Sequence, residues 1–153
     1  MELNLLSGIL PMDQIKLDNL YKNSIILDHC RNPRNYLPIS KIDFSGSAVN
    51  PFCGDEIHFN LKLNDQTIIE EVAFEGDGCA INLASGSIIS EHIKGMSIES
   101  VGKFTETFRL DMQTNHLKSF DCKSEIFVLY DVRSFPIRIK CALLSVSALE
   151  NLH

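Results

Sequence analysis

The sequence predicts an α+β fold: a small antiparallel three-stranded sheet with helices packed on one side. Three observations carry the prediction. Apolar residues recur at helical spacing near the start of the chain. Clean alternation of apolar and polar residues follows in the middle. After the glycines of FEGDGCA the period returns to that of helices and stays so to the end. The organisation expected is an N-terminal extension over residues 1–12 and a single domain over residues 13–153, with no internal repeat or linker.

The first helix opens at Asp13, an N-cap residue type, and carries Leu17, Leu20, Tyr21 and Ile25 on its apolar face. The pair Asn32-Pro33 ends it, because the residue before proline is driven away from helical angles. FSGSAVN is a candidate first strand. EIHFNLKL alternates, with Ile57, Phe59, Leu61 and Leu63 on one face and His58, Asn60 and Lys62 on the other, as a half-buried strand requires. NDQ makes a turn, and TIIEEVAFEG returns as a third strand with Ile68, Val72 and Phe74 on one parity.

AINLASGSIISEHIKG is a helix with apolar residues spread around it, stopped at Gly95. SIESVGKFTETFRLDM is a second helix with Ser97 at its N-cap; the capping box is incomplete, since Ser100 stands where Glu or Gln would complete it. SEIFVLYDV is short and apolar and fits either a helix or a strand. Pro136 opens the last helix, whose apolar face runs through Ile139, Leu143, Val146 and Leu149.

Composition narrows the function. A chain of 153 residues is long enough to bury a core without covalent staples. A net charge of −6 without basic runs excludes nucleic acid as the main partner, because phosphate binding needs clustered Lys and Arg. No apolar run of about 18 residues is present, so no membrane span is expected. Glu2 stands where a secretion signal would be positive. Five widely spaced cysteines, Cys30, Cys53, Cys79, Cys122 and Cys141, therefore fit a reducing cytoplasm better than a disulfide framework.

Three of those thiols have plausible activators. Gly54 lets Cys53 and Asp55 turn into one volume, as half of a metal site or simply as a tight turn. Cys79 follows two glycines and starts a helix, where the dipole favours thiolate; the alternative is a core cysteine. Cys141 follows Lys140 and shares a helix face with Arg138, and both cations favour thiolate; here too a core cysteine is the alternative. Three Cys and one Asp would complete a tetrahedral zinc site of about four ligands. Cys30 and Cys122 read as incidental, and His58, His92 and His116 as solvated.

The stretches LYKNSIILDHCRNPRN, NPFCGDE, FEGDGCAINLASGS and FPIRIKCALLSVSALE together resemble the U-type iron–sulfur cluster assembly family, the IscU/NifU N-terminal fold, from Leu17 to Leu149. Within it the chain resembles the SufU branch most. Lys140 replaces the histidine that precedes the third cysteine in the IscU branch, and the stretch from Gly95 to Ser134 resembles the SufU insertion.

The resemblance implies a SufE/NifU-like fold and a zinc site of Cys53, Asp55, Cys79 and Cys141, with iron or a transient [2Fe–2S] cluster on the same cysteines as the alternative. It implies sulfur arriving at Cys53 from a cysteine desulfurase of the SufS, NifS or IscS type, with Arg138 supporting the site, and delivery to apo iron–sulfur client or assembly proteins. A scaffold that builds a [2Fe–2S] cluster, and a zinc-stabilised interaction module without thiol chemistry, are the other two readings. The chain departs from the family pattern at Cys30, where a tyrosine is usual, at Asn82, where GCAIS becomes GCAIN, and in DVRSFP before the last helix.

Overall fold

The computed structural model describes residues 19–20 and 22–153. Asp13 and the expected boundary between residues 12 and 13 lie outside them. Helix α1 spans Ser24–Arg31. Asn19, Leu20 and Lys22 are helical, but Asn23 is not (φ −56°, ψ 122°). The continuous first helix expected from sequence is therefore interrupted. The Asn23 side-chain oxygen accepts from the N–H groups of Ile25 (3.0 Å) and Ile26 (3.2 Å), and so caps a new helix instead of continuing the old one. The end at Asn32, before Pro33, is where the sequence puts it.

Strands β1 (Phe44–Val49), β2 (Glu56–Leu63) and β3 (Ile69–Asp77) form an antiparallel sheet in the order β1-β2-β3. Ile57, Phe59 and Leu61 of β2 are buried, as their alternation predicts. In β3 the expected parity fails at its start. Ile69, not Ile68, is buried, and Glu70 and Glu71 both face outward. The register slips between Lys62↔Glu71 and Leu63↔Ile69, leaving one extra residue in β3, which is a β-bulge. Ile68 falls outside the strand and bridges to Ser97.

Helices α2 (Ala80–Ile93) and α4 (Pro136–Glu150) cover one face of the sheet, α2 on β3 and α4 on β1 and β2. Both are buried on nearly all sides, because α1 packs on α2 and α3 (Ile98–Met112) packs on α4. Two glycines permit this close approach. A Cβ at Gly46 would sit 2.2 Å from the Ala148 carbonyl oxygen of α4, and one at Gly86 of α2 would sit 2.6 Å from the Phe74 ring. The ambiguous apolar run is a 3₁₀ segment, Glu125–Ser134, capped by Ser124. The open face of the sheet is polar: His58 bonds Ser47 and Asn60, and Ser45 bonds Asn60. Among the described residues no helix is long and apolar enough to cross a membrane.

One row of cross-strand partners, Val49↔Glu56↔Asp77, closes one end of the sheet. The β1–β2 turn and the β3–α2 junction leave from that row, so antiparallel pairing brings Asp55 to Cys79.

Candidate metal centre

The β1–β2 turn is built by Asn50. Its side-chain oxygen accepts from the Phe52 N–H (3.1 Å), its carbonyl accepts from the Gly54 N–H (2.8 Å), and its own N–H donates to the Asp55 carbonyl (2.7 Å). Gly54 takes φ +75°, which a side chain resists. The turn leaves Cys53 exposed and sends Asp55 inward to 6% exposure.

Asp55 lies against the β3–α2 junction. Its carboxylate accepts from the Cys79 N–H at 3.3 Å. Gly78 makes this possible: its φ is +148°, and a Cβ there would lie 2.3 Å from the Asp55 carboxyl carbon. Cys79 is the N-cap residue of α2, half-buried, with no side-chain cap bond. Its thiol thus stands at the N-terminal end of α2.

Cys141 sits on the second turn of α4 at 2% exposure. Burial first, then the adjacent Cys79 and Asp55, push its thiol up to about 12, against the opposing pull of a hydrogen bond with Arg138. Burial thus outweighs the cations, which fits the core-cysteine alternative better than a thiolate favoured by Lys140 and Arg138. Lys140 is turned elsewhere, its ammonium 5.2 Å from the centre of the Phe52 ring. Phe52 is 87% exposed, so this contact lies over the turn that carries Cys53.

The ligand atoms of Asp55, Cys79 and Cys141 all lie within 4.8 Å of one another. Cys53, expected as a fourth member, is outside this group and stands on the exposed turn beside it. Two thiols and one carboxylate are donors that Zn²⁺ accepts, and three protein ligands leave a fourth position open. The donor set also suits iron.

Cys122, read as incidental, and His116, read as solvated, are both exposed. His92 is not simply solvated. It packs on Phe104 (4.8 Å between ring centres) and Phe120 (5.6 Å), and burial lowers its pKa.

Three residues near the site escaped sequence reasoning. The Cys30 thiol rests on the first turn of α2, donating to the Ala80 carbonyl at 3.1 Å, and burial, then the neighbouring Cys79, raise its pKa. His29 is buried between the Ser87 hydroxyl (2.6 Å) and the Glu125 carboxylate (2.5 Å), and so ties α1 to α2 and the 3₁₀ segment. Asn82 reaches from α2 to the strand ends. The sequence marked Cys30 and Asn82 only as departures from the family pattern, and it marked nothing at His29.

The NifU-like N terminal domain model matches residues 20–122. The zinc-dependent sulfurtransferase SufU of Bacillus subtilis (strain 168) is 40% identical over 137 residues, covering 88% of this chain and 89% of that protein. The iron–sulfur cluster assembly scaffold protein IscU of Streptococcus pyogenes serotype M1 is 32% identical over 135 residues, covering 88% and 83%. Among solved structures, a candidate iron–sulfur cluster assembly scaffold protein for the SUF system from Fervidobacterium islandicum AW-1 superposes with a TM-score of 0.74 at 29% identity, covering 86% of this chain and 96% of that one.

Proposed function

We propose, since the chain belongs to the NifU-like N-terminal domain family, that it serves iron–sulfur cluster biogenesis by accepting sulfur from a cysteine desulfurase and passing it on. The observation that carries this reading is the division of the site. Asp55, Cys79 and Cys141 form an inner group, and Cys53 is held exposed at its edge. A carrier needs that division: donors to hold a metal, and one thiol that a partner can reach. The SufU relative, named as a zinc-dependent sulfurtransferase, supports zinc as the metal here.

Asp55, Cys79 and Cys141 would hold the zinc, with Cys53 as the fourth ligand that binds or leaves. Bound zinc would keep the coordinating thiols deprotonated despite the burial that otherwise raises Cys141. The chain's own residues do the rest. The Asn50 turn and Gly54 present Cys53 outward. The Cys53 thiolate attacks the outer sulfur of the donor's persulfide. The donor's S–S bond breaks, its cysteine leaves as thiolate, and a persulfide remains on Cys53. Arg138, bonded to Cys141, supports the inner group rather than touching the arriving sulfur. The recipient is an apo iron–sulfur client or assembly protein, and the compartment is the cytoplasm.

The scaffold reading is supported by the IscU relative and by the SUF-system structure, both named as scaffolds. Purified protein separates the two. With a cysteine desulfurase and cysteine, the chain should raise sulfide output in the presence of reductant, and Cys53→Ala should abolish the increase. Anaerobic incubation with iron and sulfide should leave no stable visible chromophore. A stable chromophore, with no effect of Cys53→Ala on desulfurase turnover, would establish the scaffold instead. If neither activity appears, the chain is an interaction module.

A further inference from the structure

Asn82 lies on the first turn of α2, three residues past Cys79, at 1% exposure. Its side-chain N–H₂ donates to two backbone carbonyls, Glu56 at 3.1 Å and Asp77 at 3.4 Å. These two residues are cross-strand partners in the last row of the sheet. Glu56 follows Asp55, and Asp77 precedes Gly78 and Cys79. One amide therefore spans the two strand ends from which the carboxylate and the thiol of the inner group depart.

The oxygen of the same amide is buried without a hydrogen-bond partner among the described residues. An orphaned buried acceptor is destabilising, so the amide is a poor choice for filling the core. Its donor half explains it. A serine, the residue of the family pattern at this position, has one hydrogen and a shorter reach, and cannot donate to both carbonyls at once. Beyond the sheet register that pairs Glu56 with Asp77, the one direct hydrogen bond between Asp55 and Cys79 among the described residues is long, from the Cys79 N–H to the Asp55 carboxylate at 3.3 Å.

We propose that Asn82 is a positioning residue for the metal centre, fixing the placement of Asp55 relative to Cys79 by clamping the carbonyls of Glu56 and Asp77. This rests on the reading that Asp55, Cys79 and Cys141 hold zinc. Zinc takes oxygen and sulfur donors at tight distances in tetrahedral array, so a strand end free to fray would lower its affinity. The clamp acts through Asp55, and a double-mutant cycle isolates that dependence.

The test is competition for zinc between the full chain and a chromogenic chelator. The proteins are wild type, Asn82→Ser, Asn82→Leu (similar volume, no donors), Asp55→Ala, and the Asp55→Ala/Asn82→Ser double variant. Urea unfolding of each metal-free protein runs alongside. Asn82→Ser and Asn82→Leu should each weaken zinc binding on the order of ten-fold. In the Asp55→Ala background Asn82→Ser should cost nothing further. The cobalt-loaded Asn82→Ser protein should show a displaced visible ligand-field envelope. Wild-type affinity in either single variant would overturn the inference. So would an equal loss with and without Asp55, which would mark a general effect on the fold. A wild-type chain that does not retain zinc would overturn the reading of the site itself, and this inference with it.

Discussion

At the residue scale, the centre depends on side chains that are absent as much as on those that are present. Gly78 supplies no ligand, yet the space its Cβ would fill is taken by the Asp55 carboxyl group, 2.3–2.7 Å away. Gly78→Ala should drive that carboxylate off the inner group and weaken zinc binding on the order of ten-fold, measured by chelator competition. Gly54→Ala is the informative contrast. It also stands at positive φ, but nothing lies within 4 Å of its Cβ position, so it should reduce stability more than metal affinity. Unchanged zinc affinity in Gly78→Ala would mean that Asp55 is not held where it matters. The thiols of this site were legible in the sequence because cysteine is conspicuous. The pKa of Cys141 was not: neighbouring Lys140 and Arg138 suggest thiolate, and only the packing shows that burial dominates.

At the element scale, the stretch after α3 is held by Asp111. It accepts from the Ser119 N–H (2.8 Å), the Ser119 hydroxyl (2.8 Å) and the Tyr130 hydroxyl, while Arg133 stacks on the Tyr130 ring. Burial would raise the Asp111 carboxyl, but these donors bring it below its ordinary value; burial and the hydrogen bond to Asp111 push Tyr130 up to about 12. The two shifts give opposite limbs of stability. A carboxyl lowered on folding stabilises above its unfolded pKa of about 3.9, and that contribution is lost as pH falls through the folded value. A tyrosine raised on folding stabilises below its unfolded pKa of about 10, and that contribution is lost as pH rises toward the folded value. Urea midpoints measured across pH should fall along both limbs in the wild type. Tyr130→Phe should flatten both, since it removes the alkaline titration and a donor to Asp111. An unaltered alkaline limb would contradict the pairing.

The helices and strands themselves were largely readable. β2 runs from Glu56 to Leu63 because its alternation is uninterrupted. The bulge in β3 was not readable, because consecutive Ile68 and Ile69 followed by Glu70 and Glu71 show no period from which to place the extra residue. The break at Asn23 was masked by apolar spacing that continues on either side of it.

At the scale of the whole molecule, the sheet is a platform that gathers one end of three elements. Phe59, Leu61 and Phe74 anchor it to α2 and α4, and those helices carry Cys79 at an N-cap and Cys141 on a second turn. The order of elements was legible from periodicity. The meeting of Asp55, Cys79 and Cys141 was suggested by their residue types, and its geometry came only with antiparallel register. Cys30 and Asn82 escaped because their partners are backbone carbonyls contributed by other elements, which no local pattern displays. The account's central claim is that sulfur arrives on the exposed thiol. Its most direct test is mass spectrometry of the peptides after one turnover with a cysteine desulfurase and cysteine, without reductant. The result predicted is one additional sulfur atom on the peptide bearing Cys53, and none on those bearing Cys79 or Cys141. Additional sulfur on Cys141 or Cys79 with Cys53 unmodified, or on no cysteine of the chain, would contradict it.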